Sequence, residues 1–264
     1  VTSPVVLSAS SVNTYLRCQY QWYAAYVLNI KSPPNVALLV GIAAHTAVET
    51  NMVQKITTKV DLPVTDVLDA FSTAYDEQVP DLEDDKEDPG KGKDSGVDIV
   101  RLYHTAVAPP IQPILVEEQI QFAVNDIPFS TVLDLVEERT DPIMQDQHNV
   151  VRELKTTKST PDRAKYALQL TGQAIGLQHK TGTEQVDSVV DVLVRTKIPK
   201  YVALQAGDLA KPPAIATFAD IVKQVHTSIM AGNFIPTGIT NRACSWCGYQ
   251  TICTPFKTFG KGME

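Results

Sequence analysis

The sequence predicts a mixed α/β domain, a central β-sheet flanked by helices, and three observations carry that expectation. The first 110 residues read mainly as helices. Three short, β-branched segments then follow one another between 114 and 157. A helix, two more strands and a further helix complete the order. At 264 residues and 44% hydrophobic content, the chain can bury the core of one large domain, taken as 1–264. Within it, 1–110 is the helical part, 111–210 the sheet-bearing core, and 211–264 a last helix followed by a cysteine cluster.

The elements follow in order. In "LSASSVNTYLRCQYQWYAAYVL", Ser8 or Ser10 can cap a helix that spaces Val12, Tyr15, Leu16, Trp22, Tyr23 and Tyr26 on one face, with Cys18 on or beside it. A second helix in "NVALLVGIAAHTAVETNMVQ" sets His45 and Glu49 one turn apart on the same face, where Glu49 is either exposed or able to assist His45. "VTDVLDAFSTAYDEQV" reads as a third helix. Residues 81–96, "DLEDDKEDPGKGKDSG", are polar, charged and glycine-bearing, and are expected to form an exposed loop. A helix near "VDIVRLYHTAV" precedes the strands "ILVEEQIQFAV", "PFSTVLDLVEE" and "NVVRELKTT". Helix returns in "PDRAKYALQLTGQAIGLQHKTG", then strands in "SVVDVLVRTK" and "KYVALQA", then a helix in "AIATFADIVKQVHTSIMAG".

The net charge of -7 is unevenly spread. Residues 1–150 carry 9 Lys and Arg against 22 Asp and Glu, whereas 151–264 carry 14 against 8. Contacts to phosphate therefore have more room in the second half, with ordinary surface scatter as the alternative. There is no run of 18 apolar residues, and "VTSPVVLSASSVNTY" lacks the basic flank and apolar centre of a secretory leader. A cytoplasmic protein making no use of a membrane is expected.

Chemistry concentrates in the second and third strands. "STVLDLVEE" offers Asp134 among apolar neighbours, and "VRELKTTKS" offers Glu153 and Lys155. Because strand side chains alternate, Glu153 and Lys155 share a face, and Asp134 joins them if the two strands pair. Two carboxylates on a rigid sheet suit a hard divalent cation such as Mg²⁺ or Mn²⁺, with the backbone carbonyl of Leu154 as a further oxygen. An ammonium beside them can orient an attacking water. That is the chemistry of phosphodiester hydrolysis; an ordinary Glu and Lys on a solvated strand is the alternative.

Cys244, Cys247 and Cys253 stand in C-x2-C-x5-C spacing, and the fourth cysteine, Cys18, lies more than 220 residues upstream. Free buried thiols, a disulfide, a structural zinc and an iron–sulfur cluster all compete for this set. A disulfide fits poorly with the missing leader, and spacing does not separate zinc from iron.

Seven segments, taken together and in order, resemble the RecB-like branch of the PD-(D/E)xK nuclease superfamily, including the CRISPR-associated RecB-like exonucleases and the nuclease domain of the AddB helicase–nuclease subunit. They are "SASSVNTYLRCQYQWYAAY", "GIAAHTAVE", "TVLDLVEE", "RELKTTK", "YALQLTGQA", "VLVRTKIPK" and "CSWCGYQTIC". The resemblance implies a restriction-endonuclease-like core and a metal-dependent DNA exonuclease acting on single strands or free ends. It places Asp134, Glu153, Lys155 and Gln169 in catalysis, and His45, Asp134, Glu153 and the Leu154 carbonyl at the metal. A [4Fe–4S] cluster on Cys18, Cys244, Cys247 and Cys253 is implied, with zinc as the alternative, joining the two ends of the chain. Gln173 stands where the family has a tyrosine, which departs from a stacking role. Lys158, Arg163, Lys165, Arg195, Lys197 and Lys200 are the candidates for DNA phosphates, or else solubilising surface charges. Recombination, repair, CRISPR adaptation or phage DNA metabolism is the implied setting, with a helicase or recombination partner. A non-catalytic DNA-binding or assembly subunit of the same fold is the rival expectation.

Overall fold

The computed structural model describes residues 5–82, 87–140 and 147–259. Its centre is one five-stranded sheet in the order β1 (Pro113–Val124), β2 (Ile127–Thr140), β3 (Gln147–Thr157), β4 (Val186–Val194), β5 (Lys200–Gln205). Neighbouring strands run antiparallel except β3 and β4, which are parallel. A parallel pair needs a crossover, and α6 (Ala167–Thr181) supplies it. The expected α/β class and its succession of strands are what the structure has.

The two faces of the sheet bury different helices. On one, α3 (Val36–Thr58), α4 (Val64–Asp76) and α5 (Pro89–Leu102) pack Leu39, Ala43, Phe71 and Ile99 against Leu135, Leu154 and Leu193. On the other lie α1 (Ala9–Arg17), α6 and α7 (Pro212–Met230), whose Val12, Ala174, Leu177, Phe218 and Val222 meet Phe129, Leu133, Val136 and Val151. By length and composition α3 is apolar enough to cross a membrane, yet half of its apolar stretch is buried inside this fold.

Residues 89–96 correct the expected loop, since they form the first half of α5. Residues 83–86 of that segment lie outside the described residues. Asp88 caps the helix by accepting the Lys91 N–H at 2.8 Å, and Pro89 fits its first turn. Glycine, normally costly in a helix, is required here by close packing. A Cβ at Gly96 would sit 2.1 Å from Phe71 Cζ, and one at Gly92 would sit 2.2 Å from Val36 Cγ1.

The first helix expected around Cys18 is in fact two. Cys18 is extended (φ −159°, ψ 113°) between α1 and α2 (Gln19–Tyr26), so the chain turns at the cysteine itself. α2 then lies beside the segment following α7. Phe234 stacks on Trp22, the Ile235 N–H donates to Gln19 Oε1 at 2.9 Å, and the Asn241 amide donates to Arg17 O at 2.7 Å. The two ends of the chain thus meet before any metal is considered.

Candidate active site

The antiparallel ladder between β2 and β3 stops at Leu135–Arg152, and past it the strands part. The Leu154 peptide, which would have continued the ladder, is taken up by side chains instead. Its N–H donates to Asp134 Oδ2 at 2.9 Å, and its carbonyl lies 3.0 Å from His45 Nε2 on α3. This opening in the sheet brings together groups that are 109 residues apart in sequence.

Glu153 points the other way, toward α6, and is fully buried. An isolated carboxylate there would be costly, and the fold surrounds it with N–H donors. Gln169 donates to Oε1 at 2.7 Å, Gln173 donates to Oε2, and Lys155 pairs with Oε1. Gln169 and Gln173 are one turn apart on α6, which is why one helix face can hold both oxygens. Gln173 is also fully buried and donates to Val132 O at 2.8 Å, so the residue that replaces the family tyrosine is a buried support of Glu153. The Lys155 ammonium lies 6.0 Å from the centroid of the Tyr166 ring.

On the α3 side of the opening, His45 Nδ1 is 3.5 Å from Glu117 Oε1 and 3.7 Å from Asp134 Oδ2. Ligand atoms of His45, Glu117 and Asp134 all lie within 4.8 Å of one another. Glu117 was not among the residues expected from sequence. Its backbone is in the left-handed region (φ 47°), a strain of roughly 1–2 kcal/mol for a residue other than glycine. Neither Glu117 nor Asp134 takes part in the β1–β2 register, although both neighbouring pairs do. Glu118, its neighbour, pairs instead with Lys180 on α6. Glu49 is half-buried beside Glu117, not fully exposed.

Burial and the Glu153 carboxylate push the Asp134 carboxyl up to about 8. Burial works against a charge on His45, but Glu117, Asp134 and Glu153 outweigh it and raise the imidazole above its ordinary value. Burial likewise opposes the Lys155 charge, and the Glu153 and Asp134 carboxylates overcome it, so its pKa is raised. Burial beside other carboxylates thus favours a proton on Asp134 when no cation is bound. Its donors, one imidazole nitrogen and two carboxylates, fit a divalent cation such as Mn²⁺ or Mg²⁺. A cleft of about 440 Å³ leads to it, walled by Leu38, Gly41 and Ile42 of α3 on one side and by Lys155 and Thr156 on the other.

The four cysteines also converge. Cys18, Cys244, Cys247 and Cys253 line one small pocket, and no disulfide joins them. The Cys244 thiol is pushed up by burial and then by the charges of the other three, as four sulfurs in one place must be. A Cβ on Gly238 would reach within 3.2 Å of Cys244 Sγ and 3.3 Å of Cys18 Sγ, so the glycine keeps the wall of the pocket open. An all-sulfur donor set of this kind fits either zinc or an iron–sulfur cluster.

The family model for the PD-(D/E)XK nuclease superfamily matches residues 6–254. The chain belongs to this superfamily. Nucleases of the PD-(D/E)XK kind use divalent metals, in keeping with the donor set of this chain. No curated protein matches the chain. Among solved structures, a "Putative exonuclease" from Eubacterium rectale is 12% identical, with a TM-score of 0.58 over 86% of this chain and 82% of its own. That likeness is one of fold. The protein SSO0001 aligns over 92% of this chain and 96% of its own at 14% identity, with a TM-score of 0.36, too low to carry an argument.

Of the residues expected to meet DNA phosphates, Arg195 requires correction. Its side chain is 3% exposed and its guanidinium is held by Glu87 at 3.0 Å, because β4 delivers it into the space under α5. It is a structural cation. Arg163 is exposed but bound through both terminal nitrogens to Asp208, and Lys158 pairs with Glu87 at 2.9 Å. Lys165, Lys197 and Lys200 are exposed and without an ion pair among the described residues.

Proposed function

We propose that this member of the PD-(D/E)XK superfamily is a metal-dependent deoxyribonuclease that degrades DNA from free ends, single strands in preference. The observation that carries the reading is the convergence of His45, Asp134, Glu153 and Lys155 where β2 and β3 part. The catalytic set is Asp134, Glu153, Lys155 and Gln169, acting within a single domain spanning 1–264. His45, Asp134, Glu153 and the Leu154 carbonyl are the groups that would hold the cation, and a cation there would supply charge neutralisation at the scissile phosphate.

The protein groups do the rest. Glu153, held by three N–H partners, fixes the Lys155 ammonium at the mouth of the cleft. There Lys155 donates to the attacking water and to the phosphate oxygens. Gln169 and Gln173 prevent Glu153 from rotating away. The apolar wall formed by Leu38 and Ile42 can pack a base or a deoxyribose but offers no charge to a second backbone. Of the six candidates, Lys165, Lys197 and Lys200 are the ones without an ion pair among the described residues and so open to phosphates. A helicase or recombination partner, in a cytoplasmic setting of recombination, repair, CRISPR adaptation or phage DNA metabolism, completes this reading. A [4Fe–4S] cluster is our reading of the four-cysteine site.

The test uses linear and circular DNA, single- and double-stranded, with Mg²⁺ or Mn²⁺. Linear single strands should be lost first while circles survive. Equal cutting of circles would make the enzyme an endonuclease, and binding without cleavage in any metal would make it an assembly subunit.

The acidic site also sets a pH dependence. A cation must displace the proton that Asp134 keeps until about pH 8. Mn²⁺ affinity, measured by calorimetry, should therefore tighten as pH rises from 6 to 8, by up to about tenfold per unit for one displaced proton. The sign for stability is opposite. A carboxyl whose pKa is raised on folding stabilises the metal-free protein at low pH, and that contribution is lost as pH climbs to 8. Metal-free protein should melt earlier at pH 8 than at pH 6, and Mn²⁺ should restore more stability at pH 8. An affinity that does not change between pH 6 and 8 would remove Asp134 from the ligand set.

A further inference from the structure

We propose that Gly41 sets the width of the cleft, so that the base of one unpaired nucleotide is held between Leu38 and Ile42 on α3 and Thr156 on β3. The proposal rests on the reading of the cleft as a nuclease centre for single strands, and it names the residue that fixes what enters. Gly41 is the glycine of the G-x-x-x-H segment, and packing does not account for it. It lies inside α3 in ordinary helical backbone, where alanine is the better helix former. Beyond its own helix, a Cβ there would meet Thr156 Oγ1 alone among the described residues, at 3.5 Å, an ordinary contact. Gly92 and Gly96 differ, since Val36 and Phe71 leave them no room for a methyl group. The space beside Gly41 belongs to the cleft, which the glycine lines.

The walls of the cleft decide what fits beside the glycine. Leu38 and Ile42 are 50% and 41% exposed, stand one turn apart, and share their face of α3 with His45, a further turn along. Large apolar side chains left open next to a cation site suit the flat face of a base. In a duplex those faces are already stacked on one another, so only an unpaired nucleotide can offer one. Lys155 is the only lysine or arginine lining the cleft, and Glu49 and Glu117 line it too. The phosphates of one strand find a counter-charge there, and those of a paired strand do not. A methyl group added at Gly41 would take up the gap to Thr156 and narrow the slot without touching His45, Asp134 or Glu153.

The experiment compares Gly41→Ala and Gly41→Leu with the wild type by melting temperature, by Mn²⁺ binding without DNA, and by anisotropy of fluorescent oligothymidylate in Ca²⁺. Gly41→Ala should melt no earlier than the wild type, since alanine in a helix costs the unfolded chain freedom. Mn²⁺ should bind both variants as it binds the wild type. Oligothymidylate should bind roughly threefold or more weakly to Gly41→Ala, and more weakly still to Gly41→Leu. A strand of the same length without bases should bind the wild type and Gly41→Leu alike. A loss below about threefold in the larger variant that folds, a parallel loss of Mn²⁺ binding, or an equal loss with the baseless strand each overturns the assignment. Failure of Gly41→Ala to fold overturns it as well, because the glycine then serves packing. If the wild type binds oligothymidylate in this way yet cuts no DNA, only the nuclease reading falls. If it cuts single strands and Gly41→Leu binds them normally, only the Gly41 assignment falls. A wild type that binds no single strand removes both.

Discussion

Lys155→Ala should lower kcat for DNA cleavage by about 10²- to 10³-fold or more, with a smaller effect on KM. Among the described residues, the ammonium is the one lysine or arginine group that reaches both the buried Glu153 and the mouth of the cleft. A group that acts on charge developing in the transition state is lost from kcat, whereas one that only attracts the strand is lost from KM. The variant also leaves Glu153, wholly buried, with its two glutamine partners alone. Some loss of stability is therefore expected, on the order of 1–3 kcal/mol. Thermal unfolding in parallel with kinetics separates the two effects: a variant folded at the assay temperature and still inactive supports the catalytic role. A folded Lys155→Ala enzyme retaining full, chelator-sensitive activity would show that the chemistry lies elsewhere.

Cys18→Ser should carry the largest cost in stability, with loss of the bound metal, and it should do so without touching the nuclease residues. Bridged by a metal, the four sulfurs would tie α1 and α2 to the segment after α7 and close a loop of more than 220 residues. A covalent closure of that size is worth on the order of 2–5 kcal/mol in the chain-entropy account, which is model-dependent. The ends are also joined by Phe234 on Trp22 and by hydrogen bonds from Ile235 and Asn241, so the variant should remain folded in the cold and melt well below the wild type. Visible absorption of protein purified without oxygen identifies the metal. A broad band near roughly 400 nm in the wild type, absent in Cys18→Ser, marks an iron–sulfur cluster. A colourless wild-type protein with one zinc per chain rejects it, and a variant that keeps both its metal and its melting temperature rejects the clasp.

Much of this was legible in the sequence because it is local. Alternation in "NVVRELKTT" gives a strand, and the strand alone puts Glu153 and Lys155 on one face. A helical period fixes His45 on α3, and α6 carries Gln169 and Gln173 one turn apart. What was illegible depends on departures from local rules. Glu117 looks like any charged residue in a strand, since only its positive φ singles it out, and no sequence pattern announces that a non-glycine residue will adopt one. Residues 89–96 carry three glycines and a proline, which read as a loop until Phe71 and Val36 are seen to need the space. Arg195 sits close to Lys197 and Lys200 in sequence, yet β4 carries it inward to Glu87 while they stay at the surface. Neighbours in sequence share a chemistry without sharing a destination.

The convergence of Cys18 with Cys253 also bears on biosynthesis. A ribosome adding roughly 5–20 residues per second takes on the order of 10–50 s to pass from one to the other. During that interval Cys18 stands without its three partners, although β1 through α6, and with them every residue of the nuclease cleft, have already been made. Any metal held by all four thiols can therefore be bound only after every residue of the nuclease cleft has been made.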